Sequence, residues 1–242
     1  KRAFSETKEH IWRQKLSPYY KELDIESPKI LASGGREPFG QESLDLIKRL
    51  KPLVVSFHFG LPEATLWHQV KNANVTTMSS ATTLDEAVWL ASQGVDVIIA
   101  QGLEAGGHRG HFLSHDLTQQ NLMSTLLEQI LGAVSIPVVA AGGISDSLSV
   151  KAAINAGAAG VQVGTNYLLC NESKISPLHR AALKSPIASE TALTNLFSGR
   201  PARGIMNRLM EECGPISDQT PDFPMAGAAI QSLKQGSWVS VE

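Results

Sequence analysis

The chain has 242 residues, 43% of them hydrophobic and 18% charged, enough to bury a sizeable core in one domain or two. A formal charge of -2 and the lack of a long basic run argue against nucleic acid or an anionic membrane as the main partner. Two cysteines, Cys170 and Cys213, cannot build a disulfide framework or a zinc cage alone and fit a reducing cytosol, so a cytoplasmic protein is expected.

The clean apolar runs are strand-sized, such as Val97-Ile98-Ile99-Ala100, so no transmembrane span is expected. The opening Lys1-Arg2-Ala3-Phe4-Ser5-Glu6 has no apolar core of the kind a signal peptide carries. Residues 4–23 then read as helical, with Ile11, Trp12 and Leu16 close to one face. Residues 53–57 have a buried-strand pattern that ends at His58-Phe59-Gly60. Pro62 opens a helical stretch with Leu66, Trp67 and Val70 on one face. Residues 75–78 read as the next strand. Thr83 and Glu86 have capping-box spacing, Leu84, Val88 and Ala91 form an apolar stripe, and Gly94 sits where a helix ends.

Residues 95–100 are a third strand, rich in β-branched side chains, followed by a glycine-rich loop over 101–118. A helix carrying Leu122, Met123, Leu126, Leu127 and Ile130 stops at Gly132. Residues 136–141 are a fourth strand with Pro137 at its start, where a missing N–H is tolerable. Ser145 or Asp146 caps a helix that ends at Gly157, and 160–164 form the fifth strand. Beyond residue 170 the pattern changes: 181–183 and 191–197 read as helical, and 238–241 as a late strand. Two parts follow, an α/β part over 1–170 and a helical segment with a tail over 171–242.

Alternating strands and helices, with strands lacking polar alternation, specify a parallel sheet covered by helices. A full (β/α)8 barrel takes about 250 residues, but only about five βα units are visible here. An open doubly wound sheet and an incomplete barrel both fit that count.

Three clusters follow predicted strands, which is where parallel α/β folds bind ligands. They are 101–110, containing Gly106-Gly107-His108-Arg109-Gly110; 140–145, containing Gly142-Gly143; and Gln162-Val163-Gly164-Thr165. The last two end neighbouring strands, where glycines let backbone N–H groups approach a phosphate and the Thr165 hydroxyl adds a bond. Tight turns needing positive φ are the plainer reading of the same glycines. His108 can exchange a proton or bind an anion near neutral pH. Arg109 suits attraction of an anionic substrate, a solvated loop position or a structural salt bridge. His108, His111 and His115 are spaced for one helical face, but the intervening glycines oppose a helix, and no metal is expected. No G-x-G-x-x-G fingerprint follows a strand, so a Rossmann NAD site is not expected.

The run Gln101-Gly102-Leu103-Glu104-Ala105-Gly106-Gly107-His108-Arg109-Gly110 resembles the signature loop of class I nitronate monooxygenases. Further segments resemble that family: 55–60, 80–83, 138–143, 160–165 and Phe197-Ser198-Gly199-Arg200-Pro201-Ala202-Arg203-Gly204. The resemblance runs in order from about residue 9 to 228. It implies an FMN enzyme on a TIM barrel, so the barrel is preferred to the open sheet, here lacking the first three strands that the family places before residue 1. It further implies that His108 is the active-site histidine. Gln101, Gly106, Gly107, Gly142, Gly143, Gln162, Val163, Gly164 and Thr165 would contact the flavin, the later ones at its phosphate. The implied reaction oxidises an anionic nitronate, such as propionate 3-nitronate, with O2 to a carbonyl compound and nitrite. A flavin-dependent enoyl-acyl-carrier-protein reductase using NAD(P)H, or a non-catalytic flavin- or phosphate-binding barrel, are the competing expectations.

Overall fold

The computed structural model describes residues 5–28 and 37–233. In chain order the elements are α1 (Glu6–Glu22), α2 (Gln41–Leu50), β1 (Val54–Phe57), α3 (Ala64–Lys71), β2 (Thr76–Ala81), α4 (Leu84–Ser92) and β3 (Val97–Gln101). There follow β4 (Gly107–His108), α5 (Met123–Ala133), β5 (Val138–Ala141), α6 (Ser147–Asn155), β6 (Gly160–Gln162) and α7 (Pro177–Leu183). The last elements among the described residues are β7 (Thr191–Thr194), β8 (Ala202–Ile205), α8 (Arg208–Cys213) and α9 (Ala226–Ile230). The expected strand over 238–241 lies outside the described residues.

Two compact units are present: residues 37–105 with 109–166, and residues 5–28, 106–108 and 167–233. The first is the α/β unit. Its sheet has the order β1-β2-β3-β5-β6, every neighbouring pair parallel. Consecutive parallel strands with helices between them are the arrangement of a (β/α)8-type barrel, of which five strands stand here.

Side chains alternate across this sheet. One set, including Phe57, Ile98, Ala100, Val138 and Ala140, packs on the helices through Trp67, Val70, Ala87, Leu90, Leu126, Leu127 and Ile130. The opposite set includes Ser80 and Ile99, then Gln101, Ala141 and Gln162. The last three form one register row across β3, β5 and β6.

Helix starts follow local chemistry. The Thr83 hydroxyl accepts from Glu86 N, and Asp146, rather than Ser145, forms a reciprocal box with Ser149. The buried stripe of α4 runs through Ala87 and Leu90, whereas Val88 is exposed. Leu122 likewise ends up exposed, at the cap of α5, and Leu126, Leu127 and Ile130 carry the buried face.

At the opposite end of the sheet from the glycine turns, Asp96 joins three elements. Its carboxylate accepts from Lys71 Nζ at 2.8 Å and from Thr77 N at 2.8 Å. Burial opposes ionisation of Asp96, but the Lys71 ammonium and the Thr77 hydroxyl and amide outweigh it and hold the carboxyl below its usual 3.8. A carboxyl depressed in the folded state stabilises above its unfolded pKa, and that support is lost as pH falls through the folded value. Asp96→Asn should therefore cost about 1 kcal/mol at neutral pH. Urea unfolding should show the gap to the parent closing as the pH is taken below 3.8; a gap constant with pH would remove the charge from the explanation.

In the second unit, Trp12, Leu16, Tyr19 and Tyr20 of α1 pack on Leu196, Phe197, Leu209, Met210, Ala229 and Ile230. Ile11, expected near that face, is exposed. The Tyr20 hydroxyl donates to Ala229 O at 2.6 Å, and the Tyr19 hydroxyl to Glu212 at 2.6 Å. Residues 191–194, expected to be helical, are strand β7, paired antiparallel with β8. The apolar spacing of Leu193, Leu196 and Phe197 imitates a helix, but the β8 partner decides the backbone. β4 adds to the other edge of β8, giving the order β4-β8-β7.

Candidate active site

Three glycine-bearing turns leave the carboxyl ends of β3, β5 and β6. In the α/β unit, Gln101 and Gln162 flank Ala141 in the last register row, on the face away from the helices. Gly142 and Gly143 follow at once, with φ of +117° and +67°. A Cβ at Gly142 would also come within 3.0 Å of Ala105 N, so this turn needs glycine for its own backbone.

Gly164 differs. Its φ is outside the left-handed range and a Cβ there would meet nothing within 4 Å. The fold does not require glycine at 164, and its absent side chain leaves the backbone open to close approach by another group. The Asn166 side-chain amide donates to Ser145 O, which ties the β6 turn to the β5 turn. Gly143, Gln162, Gly164 and Thr165 are exposed, and Val163 is half-buried.

The loop after β3 is built on buried polar anchors. Arg109 is fully buried and donates to Gln101 O at 2.9 Å, Gly102 O at 2.7 Å and Gln120 Oε1 at 2.8 Å. Its guanidinium thus fixes the strand end, which corrects both the solvated and the substrate-attracting readings. Gln101 Oε1 accepts from Gly110 N at 2.7 Å, so this buried side chain also shapes the loop. The Glu104 carboxylate accepts from Met123 N at 2.9 Å and supplies the N-terminal cap that Leu122 lacks. A Cβ at Gly102 would lie 2.4 Å from Met123 Cβ, so this glycine is set by packing.

The buried Glu86 carboxylate accepts from Thr82 N at 2.7 Å, Thr82 Oγ1 at 2.8 Å and Leu113 N at 3.2 Å, and also from Phe112 N. It pins the far side of the loop to the start of α4. Glu86→Ala should cost about 3 kcal/mol, because several buried donors lose their acceptor together. A urea midpoint within error of the parent would show that water replaces the carboxylate without loss. No sequence signal marks these anchors, since Glu104 and Met123 are 19 residues apart and Glu86 and Phe112 26 apart. Glu86 was legible only as a helix-start residue.

In the other unit, backbone pairing of Gly107 with Arg203 and of His108 with Ala202 holds His108 on a strand. Gly107 has φ +75°. His108 Nε2 lies 2.7 Å from Ser198 Oγ, and the imidazole meets the Phe223 ring edge-to-face at 5.6 Å. Ser198 Oγ in turn contacts both the carbonyl and the amide of Arg200, at 3.1 and 3.3 Å. The sequence placed Ser198 in a resembling segment but assigned it no role.

The structure brings Gln101, Gly142, Gly143, Gln162, Val163, Gly164 and Thr165 into one unit, while Gly106, Gly107 and His108 belong to the other. His111 and His115 stack edge-to-face at 5.5 Å. Among the described residues no group of three or more His, Cys, Asp or Glu is placed to hold a metal ion. Cys170 is exposed and Cys213 buried, both as free thiols. No helix among the described residues is long and apolar enough to cross a membrane.

The carboxyl ends of a parallel α/β sheet, where these glycine turns lie, are where proteins of this fold class bind ligands. The nitronate monooxygenase family model matches residues 6–240. The chain belongs to the nitronate monooxygenase family. It is 36% identical over 222 residues to "Probable nitronate monooxygenase" of Staphylococcus saprophyticus, covering 91% of this chain and 62% of that one. The Bacillus subtilis protein of the same name is 38% identical over 194 residues, covering 80% and 56%. Among solved structures, nitroalkane oxidase from Streptomyces ansochromogenes superposes with a TM-score of 0.82 at 33% identity, covering 96% of this chain and 66% of that one. FabK from Thermotoga maritima superposes at 0.61 with 26% identity, covering 83% and 61%. The chain thus spans less than two thirds of the curated relatives named here.

Proposed function

We propose that the protein oxidises alkyl nitronates with O2, using FMN, to a carbonyl compound and nitrite. One observation carries the cofactor reading: the Gln101–Ala141–Gln162 row leads directly into the turns at Gly142-Gly143 and Gly164-Thr165, and Asn166 ties those turns together. The residues present fit a phosphate-bearing flavin, because the backbone at Gly164 is unobstructed where a side chain would stand. Backbone N–H groups of 143 and 164 and the Thr165 hydroxyl would hold the phosphate, and Gln101 and Gln162 the adjoining polar edge. The bound flavin would supply the electron acceptor that no amino-acid side chain provides.

The remaining chemistry falls to His108. A nitronate carries its negative charge on two oxygens, and an imidazole at the substrate either stabilises that charge or removes the α-proton of a neutral nitroalkane. Its strand pairing with Ala202 keeps the ring from the mobility of a free loop. Arg109, buried on carbonyls, has no part in binding the anion.

Oxygen uptake and nitrite release by the purified full-length protein with propionate 3-nitronate test the reaction. Stoichiometric nitrite supports it. Rapid anaerobic bleaching of the flavin by NADPH without nitrite formation would instead assign an enoyl-acyl-carrier-protein reductase. Flavin binding with neither reaction would leave a non-catalytic carrier.

A further inference from the structure

We propose that Ser198 is a positioning residue that keeps the His108 ring proton on Nε2. Ser198 Oγ has one proton and, among the described residues, the polar neighbours His108 Nε2, Arg200 O and Arg200 N. The Arg200 carbonyl, at 3.1 Å, can only accept, and the Arg200 amide, at 3.3 Å, can only donate. The third neighbour, His108 Nε2 at 2.7 Å, can do either. All three contacts are satisfied in one arrangement. The Ser198 hydroxyl donates to the Arg200 carbonyl, and its lone pairs accept from the Arg200 amide and from His108 Nε2–H. The neutral imidazole then has its lone pair on Nδ1. The Phe223 ring, edge-to-face with the imidazole at 5.6 Å, restricts rotation about the same side chain. β4 and β8 fix the backbone from which His108 projects, and Ser198 lies in the turn between β7 and β8, so both ends of the contact sit on one small sheet.

The inference takes the reading of His108 as the catalytic residue from the proposed function, but its first test does not depend on turnover. In the full-length protein labelled with 15N-histidine, long-range proton–nitrogen correlations assign each ring tautomer, with His108 identified by its loss in His108→Asn. The resting parent protein should show His108 protonated on Nε2 when neutral. Ser198→Ala should move both His108 nitrogens toward tautomer-averaged positions and lower kcat for a neutral nitroalkane, whose α-proton the Nδ1 lone pair accepts, about tenfold with little change in KM, as expected for one lost hydrogen bond of ordinary strength. Ser198→Thr, which retains the hydroxyl, should restore both. A parent protein with the proton on Nδ1, or an alanine variant with an unmoved tautomer or an unmoved kcat, overturns the assignment. Absence of nitrite formation by the parent protein itself contradicts the proposed reaction and leaves the tautomer test standing.

Discussion

Replacing His108 with asparagine should leave the flavin spectrum in place and lower turnover of a neutral nitroalkane by roughly a hundredfold or more, the usual scale for loss of an acid–base group. The two effects separate because of where the side chain sits. The fold holds residue 108 through main-chain pairing with Ala202, which asparagine keeps. What is lost is the imidazole, with its contacts to Ser198 and Phe223. The substrate chosen also distinguishes the two roles open to the ring. A proton acceptor is required only when the substrate arrives as a neutral nitroalkane, whereas a charge stabiliser is required for the nitronate as well. A loss confined to nitroalkanes would assign proton abstraction. A variant as fast as the parent on both would take His108 out of the mechanism.

Gly164→Val should weaken flavin binding with little effect on folding. A Cβ at 164 meets no protein atom within 4 Å, and the backbone there is in a region any residue adopts, so the side chain has room in the fold itself. If the phosphate occupies that space, the added methyls cost about 2 kcal/mol of overpacking, roughly thirtyfold in Kd. The urea midpoint of the cofactor-free protein should be unchanged. Gly142 does not offer so clean a test, because its φ of +117° and the nearby Ala105 amide would strain any substitution whatever binds there. Titration of the stripped protein with FMN reads the difference, and equal affinity in parent and variant would place the phosphate elsewhere.

The parallel sheet was legible because most of its strands are short runs rich in β-branched residues with a glycine close behind, and the turns at their ends lie where parallel α/β folds bind ligands. Gly94 and Gly157 stop helices as expected, with φ of +79° and +105°. Residues 191–194 were misread because strand pairing is a long-range property. Leu193, Leu196 and Phe197 satisfy a helical period equally well, and only Ala202–Ile205 settles the matter. Val88 was misplaced by one position on its helix, an error that periodicity permits when Ala87, Val88, Leu90 and Ala91 are all apolar. The chemistry around the signature loop was the least legible. His108 stood out by type and context, but a buried guanidinium spanning two carbonyls, or a glutamate capping a helix 19 residues away, leaves no trace in local pattern. Ser198 is invisible for the same reason, since it reaches His108 across 90 residues.

In the proposed function, adjoining strand ends hold a flavin by its phosphate. A visible absorption spectrum of the purified full-length protein, followed by mass analysis of whatever small molecule heat denaturation releases, tests it most directly. The bands of oxidised flavin, release of FMN at one equivalent per chain, and depletion of that FMN in Gly164→Val are the predicted result. A colourless protein that also fails to take up added FMN would contradict it.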